Sequence, residues 1–314
     1  MEVKDFGKVG VLMGGPSSER EISLKSGKAV LAALSESSVN AVGIDIITDN
    51  EQENIKLLKS YDLDCVFIAL HGRFGEDGTI QAILEKMNLT FTGSGVQASR
   101  LAMDKIGSLE IFKKQGLYTP KFLSLERSTY NKSNDFKNEL GLPLVIKPAN
   151  HGSSIGLSIV ESITDIAPSI DLAFQFDRRV ILQEYIKGRE LTVGVLDELA
   201  LPIIEIIPGN KFFDFQAKYQ AGLTEYIIPA QLDDRIGLIV QKAALIAHKA
   251  LGCFGCSRTD IILSQDNLLY LLEINTIPGM TSTSLLPKAA KTVGIGFDKL
   301  CLKLLELAYE KAEI

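Results

Sequence analysis

Residues 258–263 and 268–274 are apolar and read as neighbouring strands, yet they carry Arg258, Asp260 and Glu273, with Asn275 one residue beyond. Charged groups on such strands are costly to bury unless a partner, a ligand or a metal ion compensates them. Side chains alternate along a strand, so Arg258 and Asp260 share a face, and so do Glu273 and Asn275. A hairpin sets Asp260 opposite Glu273, and the fold must then turn one polar face of an antiparallel pair toward something that takes up charge. Two carboxylates and an amide oxygen form a hard donor set suited to Mg²⁺ held together with substrate phosphates. An ion pair of Arg258 with one carboxylate, or plain solvent exposure, accounts for the same residues, and spacing alone leaves all three readings open. A Gly/Ser/Thr-rich turn, 276–284, follows at once.

Elsewhere, strand and helix patterns alternate with glycine turns at strand ends. Residues 8–13, 40–46 and 64–70 read as strands, 89–93 as a short one, and Ser23–Leu34 and Thr79–Met87 as helices. This is the pattern of an open parallel α/β sheet, expected over residues 1–100. A helix from Ala102 to Gln115 opens a second region, 101–190, a small α+β module with strands at 144–148 and 180–186 around the loop HGSSIG. The third region, 191–314, begins with a hairpin of 191–196 and 201–207 turning at Asp197–Glu198. A long polar and aromatic loop, Pro208–Gln231, precedes a helix over Asp234–Leu251, where Ile236, Ile239, Val240, Ala243 and Ala247 recur at helical spacing. An amphipathic helix, Phe297–Tyr309, completes the pattern.

The 314 residues carry a net charge of −6, which argues against a nucleic-acid binder relying on a broad positive field. No apolar run approaches the roughly 18 residues of a membrane span, and no charged-then-apolar leader opens the sequence, so a cytoplasmic enzyme is expected. Cys253 and Cys256 form a CxxC without a second ligand pair, which favours structural thiols over a zinc or redox site.

Further candidates stand at strand ends and in loops. Lys147 ends a strand and can reach a phosphate. The loop 151–156, with Ser153, offers hydroxyls and backbone N–H groups to an anion, or is a plain turn. Glu184 suits a purine amino group or ribose hydroxyl, or is a solvated strand end. Glu19 lies where the first strand turns into its helix, as the holder of a substrate ammonium or as an ordinary capping residue. His71 closes a strand where α/β proteins place ligand contacts. Lys218 and Tyr219 sit in the long loop as a lid cation and a hydrogen-bonding group. There is no nucleophile elbow and no GxGxxG after the first strand.

Taken in order, VLMGGPSSEREISLKSG, FIALHGRFGEDGTIQ, AMDK, KPANHGSSIG, FDFQAKY and LLEINTIPGMTSTSLLP resemble the D-alanine–D-alanine ligases of the ATP-grasp superfamily, over residues 8–305. The resemblance implies an N-terminal open parallel α/β domain followed by two antiparallel-sheet domains clasping ATP. It implies joining of two D-alanines through a D-alanyl phosphate for peptidoglycan precursors, in a cytoplasmic homodimer with no nucleic-acid or membrane partner. Two Mg²⁺ or Mn²⁺ ions are implied at Asp260, Glu273 and Asn275; a monovalent cation such as K⁺ is left open. Lys105 and Lys147 match phosphate ligands, Glu184 and Ile186 adenine-region contacts, and Glu190 the ribose carboxylate. Glu19 matches the anchor of the first D-alanine's ammonium, with Ser153 and Tyr219 supporting it, and Lys218 a lid residue facing the γ-phosphate. Arg258 and the Gly279 N–H resemble an oxyanion-stabilising pair. Ser284 and Leu285 match the holder of the second carboxylate, and His71 a supporting residue.

Overall fold

The computed structural model of the chain describes residues 5–131, 136–153, 155–209 and 224–312. The first sheet is parallel, in the order β2-β1-β3-β4, built from β1 (Val9–Gly14), β2 (Ala41–Ile46), β3 (Cys65–Ile68) and β4 (Thr90–Phe91). Its crossovers hold α1 (Arg20–Glu36), α2 (Glu51–Lys59) and α3 (Thr79–Lys86). All of β1 is buried, as a central parallel strand covered on both faces must be.

Where the sequence suggested one helix over Ala102–Gln115, there are two, α4 (Val96–Met103) and α5 (Lys105–Lys114). The break falls at Asp104, whose carboxylate accepts the Gly107 N–H at 3.3 Å and caps α5. Lys105 thereby begins a new helix rather than lying inside an old one.

The second sheet is antiparallel, order β5-β8-β6-β7, from β5 (Phe122–Glu126), β6 (Leu144–Pro148), β7 (Ser158–Val160) and β8 (Arg179–Glu184). Two short helices, α6 (Phe136–Leu140) and α7 (Ile166–Ala173), accompany it. Leu144, Ile146, Val180 and Leu182 share its core with Phe136 and Ile170.

The third sheet runs β12-β11-β9-β13-β14, with β10 beside β9, and all its pairings are antiparallel. Its strands are β9 (Gly188–Leu196), β10 (Leu199–Ala200), β11 (Ile204–Pro208), β12 (Thr224–Ile227), β13 (Cys256–Ser264) and β14 (Leu269–Asn275). β12 corrects the reading of 208–231 as loop throughout. Its four residues are too few to show a period, and pairing with β11 makes them a strand. The helix α8 (Asp234–Ala250) backs this sheet. Two helices follow β14: α9 (Leu285–Thr292), which the sequence reading missed, and α10 (Phe297–Ala312). Pro287 reads as a breaker but is tolerated in the first turn of α9.

The cores do not follow chain order. Leu109 and Phe112 of α5 pack with Leu191, Val193, Ile261 and Leu271 of the third sheet. Val9, Val11 and Phe67 of the first sheet share a core with Leu300, Leu304 and Leu305 of α10. The Tyr309 hydroxyl donates to the Phe6 carbonyl at 2.7 Å, tying α10 to the lead-in of β1.

Candidate functional site

The charged strands pair in the register that alternation anticipated, with Arg258 opposite Asn275 and Asp260 opposite Glu273. One step further the register slips, and Ile261 pairs with Leu271, leaving Leu272 as an extra residue in β14. A bulge re-aims the side chains beside it. Here Leu271 stays in the core with Ile261, while Leu272 and Glu273 both line a cavity on the other face. Arg258 holds Asp260 through two bonds, Nε to Oδ1 and Nη2 to Oδ2, each 3.0 Å. The Thr192 hydroxyl donates to Asp260 Oδ1 at 2.6 Å. Both charged side chains are largely buried, at 16% and 14% exposure, so the ion-pair reading of the sequence is realised. The pair stands within the site rather than in place of one, because both residues line the same cavity as Glu273 and Asn275.

That cavity holds about 430 Å³. Its opposite wall comes from the C-terminal end of the parallel sheet. Glu19 occupies the N-cap position of α1, is buried, and makes no side-chain capping bond. Three serines stitch this region to the end of β3. The Ser17 hydroxyl donates to the His71 carbonyl at 2.6 Å, Ser23 donates to the Ala69 carbonyl at 2.8 Å, and Ser26 Oγ lies 2.9 Å from His71 Nε2. The loop 151–153 closes on Glu19 so tightly that a Cβ on Gly152 would stand 2.8 Å from Glu19 Oε1. Ser153, in the left-handed region at φ 54°, lines the cavity beside it.

The turn after β14 completes the enclosure. Ile277 N–H donates to Asn275 Oδ1 at 2.9 Å, which orients the amide and leaves one lone pair of that oxygen over. The Thr281 N–H donates to Ser284 Oγ at 3.1 Å, and a Cβ on Gly279 would meet that same oxygen at 2.9 Å. Ser284 is the N-cap of α9 without a side-chain capping bond, so the helix N-terminus faces the cavity that Ser284 and Leu285 line.

A smaller cavity of about 110 Å³ lies between the two antiparallel sheets and shares Lys105, Asp260 and Glu273 with the larger one. Lys147 and His151 line it from the second sheet, Glu190 and Leu272 from the third. Lys105 is buried, donates to the His151 carbonyl at 2.8 Å and stands 3.4 Å from Glu273 Oε2. Lys147 alternates with Leu144 and Ile146, which face the second core, and so turns to the cleft. Burial lowers the His151 pKa, so the imidazole beside these lysines is neutral at pH 7.

Of the residues named from sequence, Glu19, His71, Lys105, Lys147, Ser153, Glu190, Arg258, Asp260, Glu273, Asn275, Gly279, Ser284 and Leu285 line one or both cavities. Glu184 and Ile186 line neither. Glu184 Oε1 instead accepts the Lys121 N–H at 2.9 Å. Lys218 and Tyr219 lie outside the described residues. The sequence reading missed Ser26, Glu76, Thr192, Tyr226 and Leu272, all of which line the cavities or bond to their walls. Glu76 stood inside the quoted loop HGRFGEDG, and Ser26 lies two helical turns beyond Glu19; those were the available signals. The CxxC thiols are free and buried, and burial pushes each up to about 12, so they are inert packing groups.

The family described as D-ala D-ala ligase C-terminus matches residues 111–306, and D-ala D-ala ligase N-terminus matches residues 46–94. The chain belongs to the D-ala D-ala ligase family. It is 45% identical over 310 residues to the D-alanine--D-alanine ligase of Nitrosomonas europaea, covering 99% of this chain and 100% of that one. The Pelotomaculum thermopropionicum enzyme of the same name is 44% identical, with 98% of each chain covered. Among solved structures, the Bacillus anthracis D-alanine--D-alanine ligase complexed with ATP superposes with a TM-score of 0.86 at 33% identity, over 98% of each chain. The VanG D-Ala:D-Ser ligase of Enterococcus faecalis gives 0.80 at 30%, over 96% of this chain and 99% of that one. The fold of this ligase is therefore the ATP-grasp α/β fold, its two antiparallel sheets enclosing the smaller cavity.

The donor chemistry of this ligase fits magnesium. Among the described residues no cluster of three or more His, Cys, Asp or Glu is poised to hold a metal by itself. Mg²⁺ characteristically takes one or two carboxylates and completes its shell with phosphate oxygens and water. Asp260 and Glu273, directly across the register, with the Asn275 amide oxygen beside them, are that kind of set.

Proposed function

We propose that this protein joins two D-alanines at the expense of ATP, making D-alanyl-D-alanine for peptidoglycan precursors. One observation carries the reading. A single cavity brings the strand-borne set Arg258, Asp260, Glu273 and Asn275 against Glu19 and the Gly279–Ser284 turn, and opens into the lysine-lined space between the antiparallel sheets.

On this reading the buried Glu19 carboxylate holds the ammonium of the first D-alanine, supported by Ser153 and by Tyr219. ATP lies between the antiparallel sheets, its phosphates on Lys105 and Lys147, its ribose on Glu190 and its adenine toward Glu184 and Ile186. A carboxylate oxygen of the first D-alanine attacks the γ-phosphorus, the bond to the β-phosphate oxygen breaks, and ADP and D-alanyl phosphate result. Asp260, Glu273 and Asn275 would hold Mg²⁺ or Mn²⁺, which when bound would supply charge neutralisation for the phosphoryl transfer. The N-terminus of α9, with Ser284 and Leu285, takes the carboxylate of the second D-alanine. The amine of that molecule, having lost its proton, attacks the acyl carbon. Arg258 and the Gly279 N–H stabilise the oxyanion that forms. The acyl carbon–oxygen bond then breaks and phosphate leaves. Lys218 serves as the lid cation for the γ-phosphate, and closure of a lid keeps water from the acylphosphate.

The test is direct. Purified protein with ATP, Mg²⁺ and D-alanine is expected to release one phosphate per dipeptide; absence of dipeptide sinks the assignment. D-serine as competing acceptor measures how far the second subsite departs from that of the VanG relative. Among the described residues no helix is long and apolar enough to cross a membrane. The reading extends to a homodimer in the cytoplasm, where ATP is available, and sedimentation velocity checks the oligomer.

A further inference from the structure

We propose that Ser26 and Glu76, with His71 between them, are positioning residues that fix the Gly279–Met280 backbone for the second half-reaction. The inference rests on the reading of the Gly279 N–H as an oxyanion donor.

Ser26, His71 and Glu76 are all buried, at 0%, 4% and 9% exposure, and all line the larger cavity. Buried polar atoms are paired, and here the pairing has one consistent direction. The Met280 N–H donates to Ser26 Oγ at 3.3 Å. The Glu76 carboxylate can only accept, so His71 donates from Nδ1, with 3.5 Å to Glu76 Oε1. In the tautomer with its proton on Nδ1, Nε2 is an acceptor, and the Ser26 hydroxyl stands 2.9 Å away to donate to it. The chain therefore runs from Met280 N–H to Ser26, to His71, to Glu76. It joins residues 254 positions apart in sequence, Ser26 and Met280.

Each end is held independently. The His71 carbonyl accepts from Ser17, and the Glu76 N–H donates to the Gly72 carbonyl at 2.9 Å. Ser26 belongs to α1, the helix that starts at Glu19. Gly279, by contrast, has no side chain of its own to lock it. Ser284 Oγ crowds it on one side, 2.9 Å from where a Cβ would stand, and the next peptide is anchored through the Met280 N–H. An oxyanion donor works only if it stands ready at about 3 Å from where the charge develops. Acylphosphate formation makes no such demand on this backbone; attack by the amine does.

The experiment compares phosphate with dipeptide. The parent enzyme's one-to-one yield establishes the ligase reading, and only the variants' ratio bears on this proposal. Ser26→Ala is expected to lower dipeptide kcat about tenfold, a fraction of the loss of a whole oxyanion donor. KM for ATP should stay within about twofold, and phosphate should exceed dipeptide as stranded acylphosphate hydrolyses. Glu76→Gln, which keeps the shape, should show the same excess with a smaller loss. Dipeptide turnover within twofold of the parent overturns the proposal, and so does a loss in which phosphate and dipeptide fall together. If Ser26→Ala fails to fold by circular dichroism, the Glu76→Gln ratio alone decides, and a one-to-one ratio there overturns the proposal.

Discussion

The parallel and the antiparallel sheet supply opposite walls of one cavity, and they do so by different means. On the antiparallel side the functional groups stand mid-strand, on one face, at positions set by alternation and register. Their geometry is dictated by the backbone ladder itself. On the parallel side they stand beyond the strand ends, and hydroxyl-to-carbonyl and hydroxyl-to-imidazole bonds from α1 and the turn before it hold them in place. The first design is rigid by topology; the second is rigid only as long as several small side chains keep their partners.

The comparison can be broken at its strongest point first. Glu273→Gln on the antiparallel wall removes charge without changing shape, and kcat is expected to fall about a hundredfold or more. The melting temperature should stay within a few degrees, because the ladder and not the carboxylate holds the strand. A large thermal loss would show that the charge cluster supports the fold. Gly152→Ala probes the parallel wall. The new methyl would sit 2.8 Å from Glu19 Oε1, so the loop or the carboxylate must move. KM for D-alanine should rise about tenfold, the scale on which small misplacements act; an unchanged KM would mean that Glu19 has slack.

The effect farthest from catalysis concerns the hidden face of β13. His248 is buried, its Nδ1 2.7 Å from Ser257 Oγ, and burial, with Lys249 nearby, lowers its pKa to about 4. Its ordinary value is 6.5, so the unfolded chain binds the proton more readily between those two values. Stability is unaffected above about pH 6.5 and is lost as pH falls toward 4, by roughly 2 kcal/mol at pH 5. His248→Gln should flatten that part of the thermal stability curve relative to the parent; parallel curves would refute the assignment.

These differences also explain what could be read from sequence. Arg258, Asp260, Glu273 and Asn275 were legible because a period of two on an apolar background is a local signal. The extra Leu272 was not, since a bulge exists only relative to a partner strand. Glu19 and His71 announced themselves by their places at a helix start and a strand end. Ser26 and Glu76 did not, because a serine on a helix face and a glutamate in a polar loop acquire meaning only when distant segments meet. The break at Asp104 was hidden because α4 and α5 are both helical and one caps straight into the next. Glu184 and Ile186 carry no burial pattern that would tie them to the cavities, and none was found.

The shared core of β1, β3 and α10 has a consequence for how the protein is made. Val9, Val11 and Phe67 emerge from the ribosome early, but Leu300, Leu304 and Leu305, which cover them, are synthesised some 230 or more residues later. At about 5–20 residues per second the parallel sheet, covered on that side by Val30, Ala33 and Leu34 of α1, waits tens of seconds for the rest of its cover. Chains ending at Gly296 should stay in that condition, binding an apolar dye and aggregating, whereas the intact protein does neither. Synthesis thus leaves this protein open to chaperone capture through an early-made face that α1 covers in part and late-made residues finish closing.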